Sequence, residues 1–209
     1  MQIASPPGRG ISIAIFPEGT THSDPMLREL KTGAARIAIG AGLPRIVIVP
    51  SWETHAAAPG EVVIDLDPGM AFGTGEHATT SMCLRTLSDV SRELAGGDWE
   101  ALDLGTGSGI LAIAARVFGA ASVDGCDFDP HAVRTAKENV QLNGIKKVKM
   151  KRLDVTQWEP ERTWDVVIAN LFSGLLIQVA KPIVQAIAPG GRLILSGILR
   201  EQEEEVLEA

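Results

Sequence analysis

The stretch "LDLGTGSGI", residues 102–110, decides the fold of this chain. It places three alternate glycines between an apolar run that predicts a strand and an apolar run that predicts a helix. Glycines at such a turn let the backbone approach a ligand closely, and the start of the helix presents free N–H groups. The pattern predicts a ligand-binding turn, although a tight structural turn would use the same glycines.

Strand and helix patterns alternate on both sides of this turn. Strands are predicted at 101–104, 122–127, 147–152, 165–169 and 192–198, and helices at 77–94, 110–117, 130–141 and 173–187. This alternation predicts an α/β fold, a Rossmann-like parallel sheet with helices on both faces. Upstream, strands are predicted at 11–16, 45–49 and 62–66 and a helix at 26–41, and the acidic end predicts a solvated helix face.

The composition excludes several classes of protein. The chain has 209 residues, a net charge of −7 and 45% hydrophobic residues. We expect a globular protein with no membrane span and no leader, and the charge argues against direct nucleic-acid binding. Cys83 and Cys126 stand apart in apolar runs, so we expect buried thiols, no metal site and a reducing, cytoplasmic setting.

Polar residues follow two of the predicted strands. Asp127 ends one strand about 20 residues after the glycine turn, where a carboxylate can bind both hydroxyls of a ribose. Asn170 ends another, where its side-chain amide can accept a hydrogen bond from a substrate N–H. Each residue could instead have a purely structural role: Asp127 could belong to the approach to the next helix, and Asn170 could cap a turn. Asp129 before Pro130 predicts a helix N-cap.

The glycine spacing separates two classes of nucleotide site. The turn has GxGxG where the dinucleotide fingerprint has GxGxxG, and Asp103 lies two residues before Gly105. This arrangement resembles S-adenosylmethionine-dependent methyltransferases more than dehydrogenases. In such a site, Gly105 and Gly107 let the backbone approach the cofactor, and Asp103 can serve the amino group of its methionine part.

A second glycine-rich run, "AFGTGEHATT" at residues 71–80, lies upstream and is rich in hydroxyls. Together with "LDLGTGSGILAIAA", "GCDFDPHAVRTAKENVQLNG", "DVVIANLFSGLL" and "GGRLILSGIL", it makes residues 45–209 similar to the PrmA family. That family comprises the lysine and α-amino methyltransferases of ribosomal protein L11. The AFGTGxHxTT run and the NG helix stop are specific to the family, whereas GxGxG is not.

The resemblance implies roles for individual residues. The run at 71–80 would fold over S-adenosylmethionine, with Thr80 as a cofactor-binding threonine and Asp127 as the ribose acid. Asn170, at the reacting end, would be both the catalytic residue and a contact of the cofactor. Gly105 would be the first glycine of the cofactor loop. The pocket would be closed by Phe72, Gly73 and Thr74. His77 is interpreted as a loop-ordering residue, and its neighbours Glu76 and Ala78 replace the Thr and Pro frequent in the family.

The resemblance also implies the chemistry. The methyl acceptor would be an amine of ribosomal protein L11, which must lose its proton before attack. Asn170 and the carbonyls near Leu171 would orient that amine. Two alternatives stay open: the chain methylates a different acceptor, or it is an inactive fragment that only binds the cofactor.

Residues 1–45 carry a different resemblance. "IFPEGTTHSDP" and "LKTGAARIAIGAGLP" resemble a strand–helix–strand segment of a glycerolipid acyltransferase, whose acyl-acceptor motif matches residues 17–20. No His begins the HxxxxD spacing which that chemistry needs, so acyl transfer is not expected. We therefore predict two units, 1–45 and 46–209. The second is expected to lack the last two strands of its sheet and to leave an open edge.

Overall fold

A computed structural model of the protein describes residues 2–4, 12–18, 27–29, 35–37, 45–67 and 78–208. The strands in these ranges are β1 Gln2–Ala4, β2 Ser12–Glu18, β3 Leu27–Glu29, β4 Ala35–Ile37, β5 Arg45–Pro50, β6 Glu61–Leu66, β7 Glu100–Leu104, β8 Ser122–Asp127, β9 Val148–Arg152, β10 Trp164–Asn170 and β11 Ile187–Leu199. The α-helices are α1 Ala78–Glu93, α2 Ile110–Val117, α3 Pro130–Leu142, α4 Ser173–Gln178, α5 Ala180–Gln185 and α6 Glu203–Glu208.

The main sheet confirms the predicted α/β, Rossmann-like architecture. Its strand order within the described residues is β1-β2-β11-β10-β7-β8-β9. From β2 to β9 every neighbouring pair is parallel. The carboxyl ends of these strands therefore lie along one edge of the sheet, where open α/β sheets bind their ligands.

Helices cover both faces of this sheet. The core on one face includes Leu84 of α1, Ile113 of α2 and Val133 of α3. The core on the other includes Leu176 of α4 and Ile183 of α5. Because β10 lies between these cores, all four residues from 166 to 169 are buried, which explains the continuous apolar run there. No helix in the described part of the chain is both long and apolar enough to cross a membrane.

Local patterns located most of the elements in the second part of the chain. The strand predicted at 122–127 and the helix predicted at 110–117 have those bounds. The N-cap of α3 is also confirmed, because Asp129 accepts a hydrogen bond from the His131 N–H at 2.8 Å. The helix predicted at 173–187 is instead split between α4 and α5, since Pro182 has no N–H to bond the carbonyl four residues earlier.

The helix predicted at 26–41 is wrong. The described residues there are the short strands β3 and β4, which pair in antiparallel fashion. The reason is tertiary: β4 pairs with β5, and those pairings override the helical spacing of the apolar residues. Together with β6 these strands form a smaller sheet in the order β3-β4-β5-β6.

The open edge expected beside the strand at 192–198 is also wrong. β2 pairs in parallel with β11 from Arg192↔Ser12 to Leu199↔Glu18, and β1 pairs with the far side of β2. The first part of the chain thus contributes strands to the main sheet as well as to the smaller one. The unit boundary at residue 45 stays a prediction.

We expect Ile15→Pro to destabilise the protein more than Ile15→Val. Ile15 pairs with Leu195 on β11 and with Gln2 on β1, so proline removes a ladder hydrogen bond inside the sheet. Valine keeps the N–H and the β-branched shape. The melting temperature should fall by several degrees for the proline variant only, about 2–4 °C per kcal/mol lost in a chain of this size. Equal melting temperatures would contradict the role of β2 in the sheet.

Candidate functional site

A cavity of about 640 Å³ opens at the carboxyl edge of the main sheet. It lies beside the point where the strand order reverses, between β7 and β10. The residues that line it come from the glycine turn, from the ends of β8, β10 and β11, from the segment after β9 and from helices α1, α3 and α4. They are Thr79, Gly105, Gly107, Asp127, Phe128, Asp129, Ala132, Leu153, Val155, Asn170, Leu171, Phe172, Leu175 and Gly197.

The glycine turn requires glycine for two reasons. Gly105 has φ 70°, in the left-handed region that other residues rarely adopt. A Cβ at Gly105 would also collide with the side chain of Leu171, which follows β10. Leu171 is fixed from its other side, because its N–H donates to the Ser196 carbonyl at 3.1 Å. The glycine turn and the loop after β10 therefore lie in close contact in the cavity wall.

Asp127 is held rigidly at the end of β8. One carboxylate oxygen accepts a hydrogen bond from the Gly107 N–H, and the other accepts one from the Asp129 N–H, both at 3.0 Å. Each oxygen keeps a second lone pair for a ligand. The predicted acid is therefore in the cavity wall, with an orientation suited to two neighbouring hydroxyl groups.

Asn170 is the last residue of β10 and lines the same cavity. Its Nδ2 lies 3.5 Å from Oγ1 of Thr79, to which it donates at the long limit of a hydrogen bond. This contact ties the end of β10 to the first turn of α1. The structure thus brings Asn170, Asp127 and the glycine turn together, as the sequence predicted.

Two predicted residues lie beneath the cavity wall. Thr80 is 1% exposed, and its neighbour Thr79 lines the cavity instead. Asp103 is 0% exposed and accepts a hydrogen bond from the Thr106 hydroxyl at 2.6 Å. Burial raises the pKa of Asp103 to about 7, against the opposing effect of that hydroxyl. Asp103 therefore supports the turn from below.

Phe72, Gly73 and Thr74, which are predicted to close the pocket, lie outside the described residues, as does His77. Two aromatic residues that the sequence analysis did not select line the cavity. Phe128 is 60% exposed and Phe172 is 68% exposed. The Arg152 guanidinium lies 5.4 Å from the centre of the Phe128 ring. Phe128 follows Asp127 by one residue, and Phe172 follows Asn170 by two. Their positions just after the polar strand ends could have predicted that both rings line the cavity.

The charge of the cavity restricts its ligands. Asp127 and Asp129 line it, and none of its described lining residues is Lys, Arg or His. The two carboxylates favour a positively charged ligand over a phosphate. Within the described ranges, no cluster of three or more His, Cys, Asp and Glu side chains could hold a metal ion.

The two cysteines take no part in the cavity. Cys83 and Cys126 are free thiols, each 0% exposed, in the cores on opposite faces of the main sheet. Burial raises the pKa of each thiol to about 12, which makes both unreactive. The prediction of buried thiols is confirmed.

Comparison with known families gives two matches. A family model described as ribosomal protein L11 methyltransferase (PrmA) matches residues 38–209, which include every described residue of the cavity. A second model, described as acyltransferase, matches residues 7–53. The two matches overlap at β5.

Individual relatives agree with the first match. The ribosomal protein L11 methyltransferase of Syntrophotalea carbinolica is 46% identical over 169 residues, 79% of this chain and 53% of the relative. That of Listeria innocua is 42% identical over 166 residues, 79% of this chain and 52% of the relative. The chain thus spans about half the length of these curated relatives.

A solved structure supports the same fold. The crystal structure of ribosomal protein L11 methylase from Lactobacillus delbrueckii subsp. bulgaricus is 32% identical to this chain, with a TM-score of 0.67. The similarity covers 78% of this chain and 81% of that one.

We expect Gly105→Ala to cost more stability than Gly144→Ala. Gly144 has φ 62°, close to that of Gly105, but a Cβ there meets no described atom within 4 Å. The control variant should lose about 1–2 kcal/mol from the left-handed backbone alone. Gly105→Ala adds the collision with Leu171 and should lose clearly more in urea denaturation. Equal losses would show that Leu171 can move away at no cost.

Proposed function

We propose that this chain, which belongs to the PrmA family of ribosomal protein L11 methyltransferases, transfers methyl groups from S-adenosylmethionine to amino groups of ribosomal protein L11. The observation that carries the proposal is the placement of Asp127 and Asn170 in one acidic cavity beside the glycine turn. The amino groups would be lysine side chains or the α-amino group. We place this reaction in the cytoplasm, where the two thiols stay reduced.

The residues around the cavity suit the cofactor. Asp127 would accept hydrogen bonds from both ribose hydroxyls, since each of its oxygens keeps a lone pair. Gly105 and Gly107 would let the backbone approach the methionine part. Phe128 would offer an apolar surface to the adenine ring. The cofactor is a cation, and the lining residues that the structure describes include two carboxylates and no basic side chain.

S-adenosylmethionine, when bound, supplies a methyl group on a positively charged sulfur. The protein must then deliver an uncharged amine, although the pKa of a free lysine is about 10.4. Asn170 would orient that amine once it has lost its proton: the side-chain oxygen would accept an N–H hydrogen bond from the amine and direct the nitrogen lone pair toward the methyl group. The Asn170 amide is oriented for this by its contact with Thr79.

Positioning and exclusion of water would supply most of the rate. Bringing two reactants into line at about 3 Å removes much of the entropic barrier. Phe172 and Leu171 lie next to Asn170 at the cavity mouth and would cover the acceptor from solvent. Among the described residues near Asn170, none is a strong base, so the amine proton would pass to water.

The main alternative is a protein that binds the cofactor but methylates another acceptor or none. It is supported by the coverage, since the chain spans about half the length of the curated relatives that it matches. Acyl transfer is disfavoured by the missing HxxxxD spacing, although residues 7–53 match an acyltransferase model.

We expect Asp127→Asn to weaken binding of S-adenosylhomocysteine about tenfold or more, because a charged hydrogen-bond acceptor is lost. Asp129→Asn is the matched control: Asp129 also lines the cavity, but its side chain caps α3, and asparagine caps a helix equally well. Isothermal titration calorimetry measures both affinities. Similar losses in the two variants would remove the ribose assignment, and no binding by the unaltered protein would overturn the proposed function.

We expect Asn170→Ala to slow methyl transfer about a hundredfold, because the amine is no longer oriented. Cofactor affinity should stay within about twofold, since Asn170 acts on the acceptor. The assay incubates purified ribosomal protein L11 with the enzyme and S-adenosylmethionine, and mass spectrometry counts the methyl groups added.

Gln178→Ala, which removes an exposed amide on α4, is the control. An unchanged rate in Asn170→Ala would remove the role of Asn170. Cofactor binding by the unaltered protein without methylated L11 would favour the alternative.

A further inference from the structure

Two asparagines on α3, Asn139 and Asn143, bind the free edge of β6 through their side chains. Asn143 accepts from the Asp65 N–H at 2.9 Å and donates to the Asp65 carbonyl at 2.7 Å. Asn139 accepts from the Asp67 N–H and donates to the Asp67 carbonyl, both at 2.8 Å. The two amides thus make the hydrogen bonds that a neighbouring strand would make.

The spacing explains why this arrangement fits. Residues four apart on a helix are separated by about 6 Å along its axis. Residues two apart on a strand are separated by about 6.6 Å and turn their backbone groups to the same edge. Asn139 and Asn143 therefore match Asp65 and Asp67 one to one.

Only Asn139 of the pair makes a bond that reaches the cavity loop. Its Nδ2 also donates to the Ser108 carbonyl at 2.8 Å. Ser108 lies between Gly107 and Gly109, and the Gly107 N–H donates to Asp127. The corresponding third bond of Asn143 goes to the Asn139 carbonyl, inside α3. Asn139 is 0% exposed, and its bond to the Ser108 carbonyl is buried, where a hydrogen bond is electrostatically stronger than in water.

We propose that Asn139 is a positioning residue for the cofactor, which fixes the end of β6 against the glycine turn. The inference rests on the proposed function. Its physical basis is a continuous path of hydrogen bonds from Asp67 through Asn139 and Ser108 to the loop that orients Asp127. A loose link at Asn139 would let the turn shift relative to Asp127, and the cofactor would have to restore the geometry when it binds.

The first test compares Asn139→Ala with Asn143→Ala, since each variant removes three hydrogen bonds of the same kind. Both should lower the melting temperature. Only Asn139→Ala should raise the Kd for S-adenosylhomocysteine and the KM for S-adenosylmethionine, by about tenfold. The kcat at saturating cofactor should change less than about twofold, since the acceptor side of the cavity is intact.

A second measurement uses the unaltered protein and does not depend on how the variants fold. Amide hydrogen exchange is followed by NMR with and without S-adenosylhomocysteine. If Asn139 couples the two segments, the cofactor should slow exchange of the Asp67 N–H more than that of the Asp65 N–H, because coupling is reciprocal.

The outcomes separate the two claims. The role of Asn139 is overturned if the unaltered protein binds S-adenosylhomocysteine but the two variants have equal affinities for it. It is also overturned if the cofactor slows exchange of the Asp65 and Asp67 N–H groups equally. Either result leaves the proposed function standing. Absence of binding by the unaltered protein overturns the proposed function and this inference with it.

Discussion

The parallel pairing of β7, β8 and β10 is the constraint on which the site depends. Because these strands run in one direction, the glycine turn, Asp127 and Asn170 all reach the same edge of the sheet. The hydrogen bond from Gly107 to Asp127 then joins the glycine turn to the end of β8, 20 residues later in the chain. Together with the bond from the Asp129 N–H, it fixes the orientation of the Asp127 carboxylate in the cavity wall.

The first part of the chain is integrated with this sheet. β2 extends the sheet beyond β11, and β1 covers β2, so the backbone groups on that side of β11 are satisfied. β6 lies at the edge of the smaller sheet, where two asparagine side chains bind the backbone of Asp65 in β6 and of Asp67 just after it. The edge of β11 is thus covered by a strand, β2, and the edge of β6 by side chains of a helix, α3.

Prediction from the sequence succeeded where local pattern and tertiary environment agree. The elements from α1 to β11 lie on a sheet with helices on both faces, so burial follows the apolar periodicity that the sequence shows. It failed at 26–41, where the spacing is helical but strand pairing with β5 decides the structure. At the site, Asp127 and Asn170 line the cavity as expected; of the two neighbouring threonines, Thr79 lines it and Thr80 is buried, so the cofactor-binding role of Thr80 stays a prediction. Neighbouring helical residues point about 100° apart, and the sequence does not set the rotation of α1.

The sequence by itself determined the class of fold, the glycine turn and the polar residues at the strand ends, because each depends on local chemistry: backbone freedom, apolar periodicity and helix capping. Tertiary structure alone decided which strand covers β11, that Asp103 lies under the turn, and that Asn139 bridges β6 and Ser108. Those contacts join residues far apart in the chain, and their energies depend on packing and burial that no local pattern encodes.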